Sequence, residues 1–508
     1  MKKYILFILL FGFNFSQAQI VDIPDANFKN ALVNELVVDT NGDGEGDSVA
    51  DLNDDGEIQV SEAETVFNLY VSNFEISSFE GLESFINLLV FDGSFNVEVS
   101  FINVSQNTYL EVLNLYSTAL LTSLDISQNT NLEFLDCRGN LLENLDLSLN
   151  SKLKHLDIGY NLFTNIDLNN NTNLEVLYCD NNSISNLNTS QNIYLKDVFC
   201  PNNQITNVDF TSNPNLKTIK CYNNELSNLN ITQNLLLEEL NISDNQLNEI
   251  DVSQNPMLIS LHCGENQISS INLNQNILLE NFYAKENQIT NLDFSQNPNL
   301  IRISCNGNGL TSLNISENQN LESIIIASNL LTYIDVSNKP NLKVLFCPDN
   351  KLIELDLSQS PNIDTIQCFT NQLTSLNIKN GNNIILNIMY AGNNPNLHCI
   401  QVDNEEFANQ QISWAKDEWA EYSEDCTLSI YDNEQFTFAI YPNPVNDFLN
   451  IISTDQSIKK VELFNLQGKL IRQLYNKLTI NLSDLATGMY FVKIESEENS
   501  VTKKFVKL

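Results

Sequence analysis

Histidine is almost missing: 508 residues contain three, His155, His262 and His398. None has a metal-ligand partner at a useful spacing. No G-x-S-x-G elbow, H-E-x-x-H pair or phosphate-cradling glycine loop occurs, so the common hydrolase, zincin and nucleotide-binding signatures are excluded. Basic residues are scarce as well. Twenty-five Lys and Arg stand against 64 Asp and Glu, a net charge of −39, which argues against a nucleic-acid binder or a protein that clings to anionic lipid. The deficit is uneven: residues 437–508 hold 9 basic and 7 acidic side chains, whereas residues 19–436 hold 14 basic and 57 acidic, a net of −43. After the first 18 residues no apolar run approaches the roughly 18 residues that a membrane-crossing helix needs. What is present in quantity is apolar: hydrophobic residues make up 42% and charged ones only 18%, enough for a large core and too much for wholesale disorder.

The start reads as an export signal. Met1-Lys2-Lys3 is a short basic region, Tyr4 to Phe15 is an apolar run broken only by Gly12 and Asn14, and Ser16-Gln17-Ala18 supplies small residues for cleavage after Ala18. Residues 1–18 are therefore expected to be a signal peptide, with the mature chain outside the cytoplasm.

From Leu132 the sequence repeats every 21 residues with almost no drift: Leu132, Leu153, Leu174, Leu195 and onward to Ile363. Eight residues after each comes an asparagine, from Asn140, Asn161 and Asn182 to Asn371. A second asparagine row, Asn129 to Asn318, keeps the same period. A short period repeated this often predicts a solenoid. Each LxxLxC or LxxLDL stretch gives a short strand whose alternate apolar residues point inward. The asparagines sit at the turns, where an uncharged amide can serve unpaired backbone groups of neighbouring coils. The pattern resembles the leucine-rich-repeat superfamily, specifically the bacterial 21-residue class with two nested halves, over residues 66–398 in about 16 coils. Ile76-Ser-Ser-Phe79-Glu-Gly81-Leu82 through Leu88 resembles an internalin-type first coil. The fold class is thus a mainly β solenoid, with a short helical N-terminal cap and a small C-terminal β-sandwich.

Eight of ten cysteines (Cys137, Cys179, Cys200, Cys221, Cys263, Cys305, Cys347 and Cys368) take one inward position of the repeat, which Ile158, Ile242, Ala284 and Ile326 fill in other coils. A slot that accepts Cys, Ile or Ala is a tight apolar one, and a line of stacked thiols suits neither a metal nor bridges. Cys399 and Cys426 fall outside the row, in an exported chain, and are expected to form a disulfide closing a C-terminal cap over residues 399–426.

Residues 19–65 form the expected N-terminal cap. A helix presents Phe28, Ala31, Leu32 and Leu36 on one face, followed by two acidic loops. The second, Asp51 to Glu62, fits an EF-hand loop: oxygen donors Asp51, Asn53, Asp55 and Glu62 at positions 1, 3, 5 and 12, the Glu57 carbonyl at 7, and Gly56 at 6. Calcium is the expected cofactor. The first loop offers Asp39, Asn41, Asp43 and Asp47 but has Ala50 at its twelfth position, so its bidentate carboxylate is missing.

After a linker at 427–437, residues 438–508 read as a β-sandwich of alternating strands. Tyr441-Pro442-Asn443-Pro444, Leu463-Phe-Asn-Leu-Gln-Gly468-Lys-Leu-Ile471, Gly488-Met-Tyr490-Phe-Val492-Lys-Ile494 and Lys503-Lys504-Phe-Val-Lys507 resemble the type A C-terminal sorting domain of the type IX secretion system. That resemblance implies the type IX machinery as a partner of residues 438–508. It also implies export across a Gram-negative outer membrane, followed by surface attachment or release.

With no active-site signature, the expected function is docking of a protein or polysaccharide on the outward strand face. Its candidate residues are Phe134, Tyr178, Phe199 and Tyr283, with Lys196 and Lys220 adding positive charge near Tyr178 and Phe199. The alternative is a spacer or matrix component whose length matters and whose face does not.

Overall fold

The computed structural model describes residues 19–426, 438–453, 458–495 and 500–508. The expected signal peptide, residues 1–18, and the expected linker, residues 427–437, lie outside them. The chain divides into two compact units between Cys426 and Thr427.

Each 21-residue period makes one coil. Its first half ends in a strand of three residues, as in Phe134–Asp136, His155–Asp157, Val176–Tyr178 and Asp197–Phe199. The strands are parallel and in strict register, with Leu135 beside Leu156 and Leu156 beside Leu177. Together they form a 17-stranded sheet from Asn68–Tyr70 to Trp414–Ala415. The strands are short because only Leu-x-Cys alternates. Leu132, Leu135 and Cys137 are fully buried while Phe134 and Asp136 face outward, half-covered by their neighbours. Burying one such leucine contributes about 1.5–3 kcal/mol, but only once the next coil covers it.

The chain turns after each strand in the same way. The residue two past the cysteine position has a left-handed backbone: φ is 70° at Gly139, 49° at Tyr160, 53° at Asn181, 54° at Asp244 and 51° at Glu286. Gly, Asn and Asp tolerate this conformation; Tyr160 and Glu286 hold it at some cost. The next residue is the first-row asparagine, which fixes the turn. Asn161 Nδ2 donates to Cys137 O (3.0 Å) and Ile158 O (3.1 Å), joining two coils, and its Oδ1 accepts from Leu142 N at 3.0 Å. The second row does half as much. Asn150 Nδ2 donates to Ile126 O (3.1 Å) and Asn129 O (2.9 Å), but its buried Oδ1 finds no protein donor, and Asn171 and Asn192 repeat this. The second row ends where Lys339 and Ser360 replace asparagine. Lys339 is buried, and its amine reaches back to Ser337 O at 3.1 Å.

At the N-terminal end, α1 (Ala26–Asn34) is capped by Asp25, which accepts from Asn27 N and Phe28 N and also from Ser77 N, Ser77 Oγ and Ser78 N of the first coil. Phe28, Phe79 and Phe91 then meet edge to face at 5.5 and 5.0 Å, joining cap to solenoid. One expected core residue is misplaced. Leu36 is 63% exposed because α1 stops at Asn34 and Glu35 turns extended, so Val37 and Val38 take the inward positions instead.

At the other end, Cys399 and Cys426 form a disulfide. The segment it closes is itself a coil. Cys399–Gln401 and Glu421–Ser423 add strands on the second-half side, and Trp414–Ala415 adds the last strand of the main sheet, which brings the array to about 17 turns rather than 16. Trp414 fills the end of the core, donates Nε1–H to Leu386 O at 3.0 Å, and packs between Phe407 of α3 (Glu405–Asn409) and Tyr422.

The second unit consists of two antiparallel sheets. One holds Phe438–Tyr441, Phe448–Ser453 and Thr479–Asn481; the other holds Lys460–Asn465, Leu470–Tyr475, Gly488–Glu495 and Ser500–Lys507. Alternation puts Val461, Leu463, Val492, Ile494 and Phe505 in its core.

Candidate functional site

The outward rows of the main sheet are built by register alone. Since residues 21 apart stand side by side one coil apart, at about 4.8 Å, the outward positions of successive coils form rows. One run of rings crosses four coils and changes row midway: Phe134 and His155 stand in one outward row and Tyr178 and Phe199 in the other, since His155 is in register with Val176 and Tyr178 with Asp157. Phe134 stacks on His155 with centroids 4.5 Å apart, His155 meets Tyr178 edge-on at 5.4 Å, and Tyr178 meets Phe199 at 4.5 Å. Burial lowers the His155 pKa, so the imidazole in this run is neutral at pH 7. Further along, Tyr283 stacks on His262 at 4.4 Å.

The lysines beside the rings are not free cations. Lys196 pairs with Glu175 at 2.5 Å, and Lys220 pairs with Glu239 at 3.0 Å while its amine lies 5.0 Å over the Phe199 ring. Lys154 and Lys217 are held in the same way by Glu133 and Glu238. Each lysine meets a glutamate one coil away, so the positive patch expected from the sequence is neutralised pair by pair.

An acidic group lies next to the rings, and sequence reasoning passed over it. Asp136 and Asp157 are register neighbours, Asp180 lies across the following turn, and Arg138 stands 3.8 Å from Asp157 and 3.6 Å from Asp180. Gly159 fits there because a Cβ would stand 2.7 Å from Asp180 Oδ1. Burial pushes the Asp136 carboxyl up to about 6, and burial with the adjacent Asp136 charge pushes Asp157 up to about 7. The signal in the sequence was the Asp136–Asp157 repeat at one outward position, visible only once the rows are aligned.

The remaining candidates separate by position. All eight row cysteines are buried, and for Cys137, Cys305 and Cys347 desolvation keeps the thiol pKa well above its usual value, which removes thiolate chemistry there. In the second acidic loop, Asp51 accepts from Asp54 N, Asp55 N and Gly56 N. Glu62 accepts from Leu52 N, Asn53 N and Gln59 N and so starts α2 (Val60–Ala63). Asn53 Oδ1 accepts from Asp55 N, Asp55 from Glu57 N, and the Glu57 side chain pairs with Lys29. In the first loop Asp39 gathers the N–H groups of Asn41, Gly42 and Gly44, which outweigh desolvation and hold its pKa below the usual value. Asn41 Oδ1 accepts from Asp43 N, and Asp47 is taken up by Thr40 and Asn41. The donors are the hard oxygens a calcium ion takes, but among the described residues no group of three or more His, Cys, Asp or Glu side chains is placed to hold a metal.

The raised Asp157 pKa makes a pH prediction. Its folded value lies above the unfolded one, so the folded state holds the proton more tightly, and this stabilisation, complete below about pH 4, is lost as pH rises through about 7. Asp157→Asn is expected to gain on wild type by up to about 4 kcal/mol between pH 4 and pH 8. Thermal melts of both proteins across that range check this, and a pH-independent gap would refute it.

Comparison with known proteins fits this geometry. The functional domain of InlJ from Listeria monocytogenes, described as including a cysteine ladder, is 21% identical and superposes with a TM-score of 0.67 over 96% of this chain and 98% of that one. A leucine-rich-repeat protein of Leptospira interrogans (20% identical, TM-score 0.54) covers 62% of this chain and 92% of its own. The internalin InlF of Listeria monocytogenes (19%, 0.53) covers 63% and 95%. At these identities the likeness is one of fold. An ulvan lyase of Nonlabens ulvanivorans is 33% identical over 82 residues, so the chain spans only 15% of that relative. Residues 439–508 match the family described as Secretion system C-terminal sorting domain. The chain thus has the fold of an internalin-type leucine-rich-repeat solenoid, followed at residues 439–508 by a match to a secretion-system C-terminal sorting domain.

Proposed function

We propose that the protein is a non-catalytic recognition or adhesion module, delivered to the surface or surroundings of a Gram-negative cell, which docks a protein or glycan on its strand face. The carrying observation is the unbroken contact of Phe134, His155, Tyr178 and Phe199 on the outward side of the sheet. The core does not need these rings, since Leu135, Leu156, Leu177 and Val198 already fill it. Stiff rings give contact area at low entropic cost, and with Lys196 and Lys220 paired, the surface they offer is aromatic rather than cationic. A spacer would have no use for them.

A glycan and surface-protein binding screen with the secreted protein supplies the partner. Tyr178→Ser with Phe199→Ser is then expected to leave the fold intact and to weaken binding by about 2 kcal/mol or more. Undiminished binding by the double variant would favour the spacer.

Calcium is proposed for the Asp51–Glu62 loop, with Asp51, Asn53, Asp55, Glu62 and the Glu57 carbonyl as donors and the Asp39 loop as a weaker second site. A bound cation would secure the link between the N-terminal helix and the first coil. Titration calorimetry with calcium is expected to show binding that Asp55→Asn weakens and Glu62→Gln abolishes. Equal affinity in all three proteins would remove the site.

A further inference from the structure

A second surface lies on the flank of the solenoid, just before the main strands. At this position of the repeat the usual residue is asparagine, and its amide donates to a carbonyl 22 residues earlier: Asn173 to Ser151 O at 3.0 Å, Asn215 to Ile193 O at 3.0 Å, Asn299 to Ile277 O at 3.3 Å and Asn362 to Pro340 O at 2.8 Å. Three consecutive coils forgo this bond and carry Leu236, Met257 and Leu278 instead. Leu235, Ile259 and Ile277 adjoin them, and these six side chains are 36–55% exposed. The patch ends sharply, with Pro214-Asn215 one coil before it and Pro298-Asn299 one coil after. Replacing a bonded amide by an exposed apolar side chain three times running is the reverse of what stability or solubility of the isolated chain would favour.

The geometry points to a docking site for an amphipathic helix of a partner protein, with an apolar face and a basic flank. Two observations select that occupant. Coils repeat at about 4.8 Å, close to the helical pitch of about 5.4 Å, so anchors at i, i+4 and i+7 of a helix lying along the solenoid axis fall on successive coils. The rim beside the patch carries one unneutralised acid: Glu238 is paired with Lys217, while Glu280, flanked on its row by Ile259 and Ile301, has no cationic partner among the described residues. Self-association is disfavoured, because a second copy brings another net charge of −39.

The test uses the full secreted chain and a fluorescent Leu/Lys model helix of about 15 residues, long enough to span three coils. Wild type is expected to bind it, and Leu236→Asn/Met257→Asn/Leu278→Asn to lose at least about tenfold in affinity. The triple variant should melt no lower than wild type, since it restores the repeat's own residue. Glu280→Lys, which leaves the apolar residues in place, should shift preference toward a Leu/Glu helix. Tyr178→Ser/Phe199→Ser should change nothing, which keeps this site separate from the strand face. The proposal is overturned if wild type does not bind the Leu/Lys helix, if the triple variant binds it equally, or if wild type prefers the Leu/Glu helix. It is also overturned if sedimentation shows a wild-type dimer that the triple variant dissolves, since the occupant would then be a second copy.

Discussion

A coil with one inward leucine edge cannot stand alone, and what joins it to the next is a buried amide. Asn161, Asn182, Asn203 and their successors each donate to carbonyls of two coils and accept a backbone N–H from a third segment. A leucine core by itself would tolerate slippage between coils, since apolar contact is non-directional. Amides that must find their carbonyls do not. Register is therefore set at the turns, and the main-sheet strands inherit it, which is why residues 21 apart stand in lines on the surface.

That inheritance is what makes the surface informative. Interior positions repeat because packing demands it; outward positions are free to vary, and any line they form costs nothing structurally. The run of rings, the Glu–Lys pairs and the carboxylates of Asp136 and Asp157 are thus separate choices laid over one scaffold. The buried carboxylates run against the economy of the rest of the molecule. Arg138 is shared between Asp157 and Asp180, so one cation answers more than one buried acid.

The repeat was legible because it is strictly periodic: the inward leucines, the cysteine slot and both asparagine rows fall where the 21-residue phase puts them. The Cys399–Cys426 bridge followed from two cysteines lying outside that phase. Harder to read were features that depend on what stands one coil away. Lys196 and Lys220 looked like free charge until Glu175 and Glu239 were placed beside them. Leu36 continued a helical pattern that the backbone abandons at Glu35. The last coil escaped the count because Trp414 and Tyr422 replace the leucines of the repeat, and the shared proton affinity of Asp136 and Asp157 arises only when their strands pair.

The two asparagine rows offer a direct comparison. Asn245 Nδ2 donates to Cys221 O and Ile242 O while its Oδ1 accepts from Leu226 N, whereas Asn255 donates to Ile231 O and Asn234 O and accepts from no protein group. Equilibrium unfolding of Asn245→Ala and Asn255→Ala, each against wild type, measures what a coil junction is worth. If the turn amides set the register, both lose stability and Asn245→Ala loses more, about 2–4 kcal/mol, because it orphans a buried N–H as well as the carbonyls. A near-neutral Asn245→Ala would mean that leucine packing alone holds the coils in step.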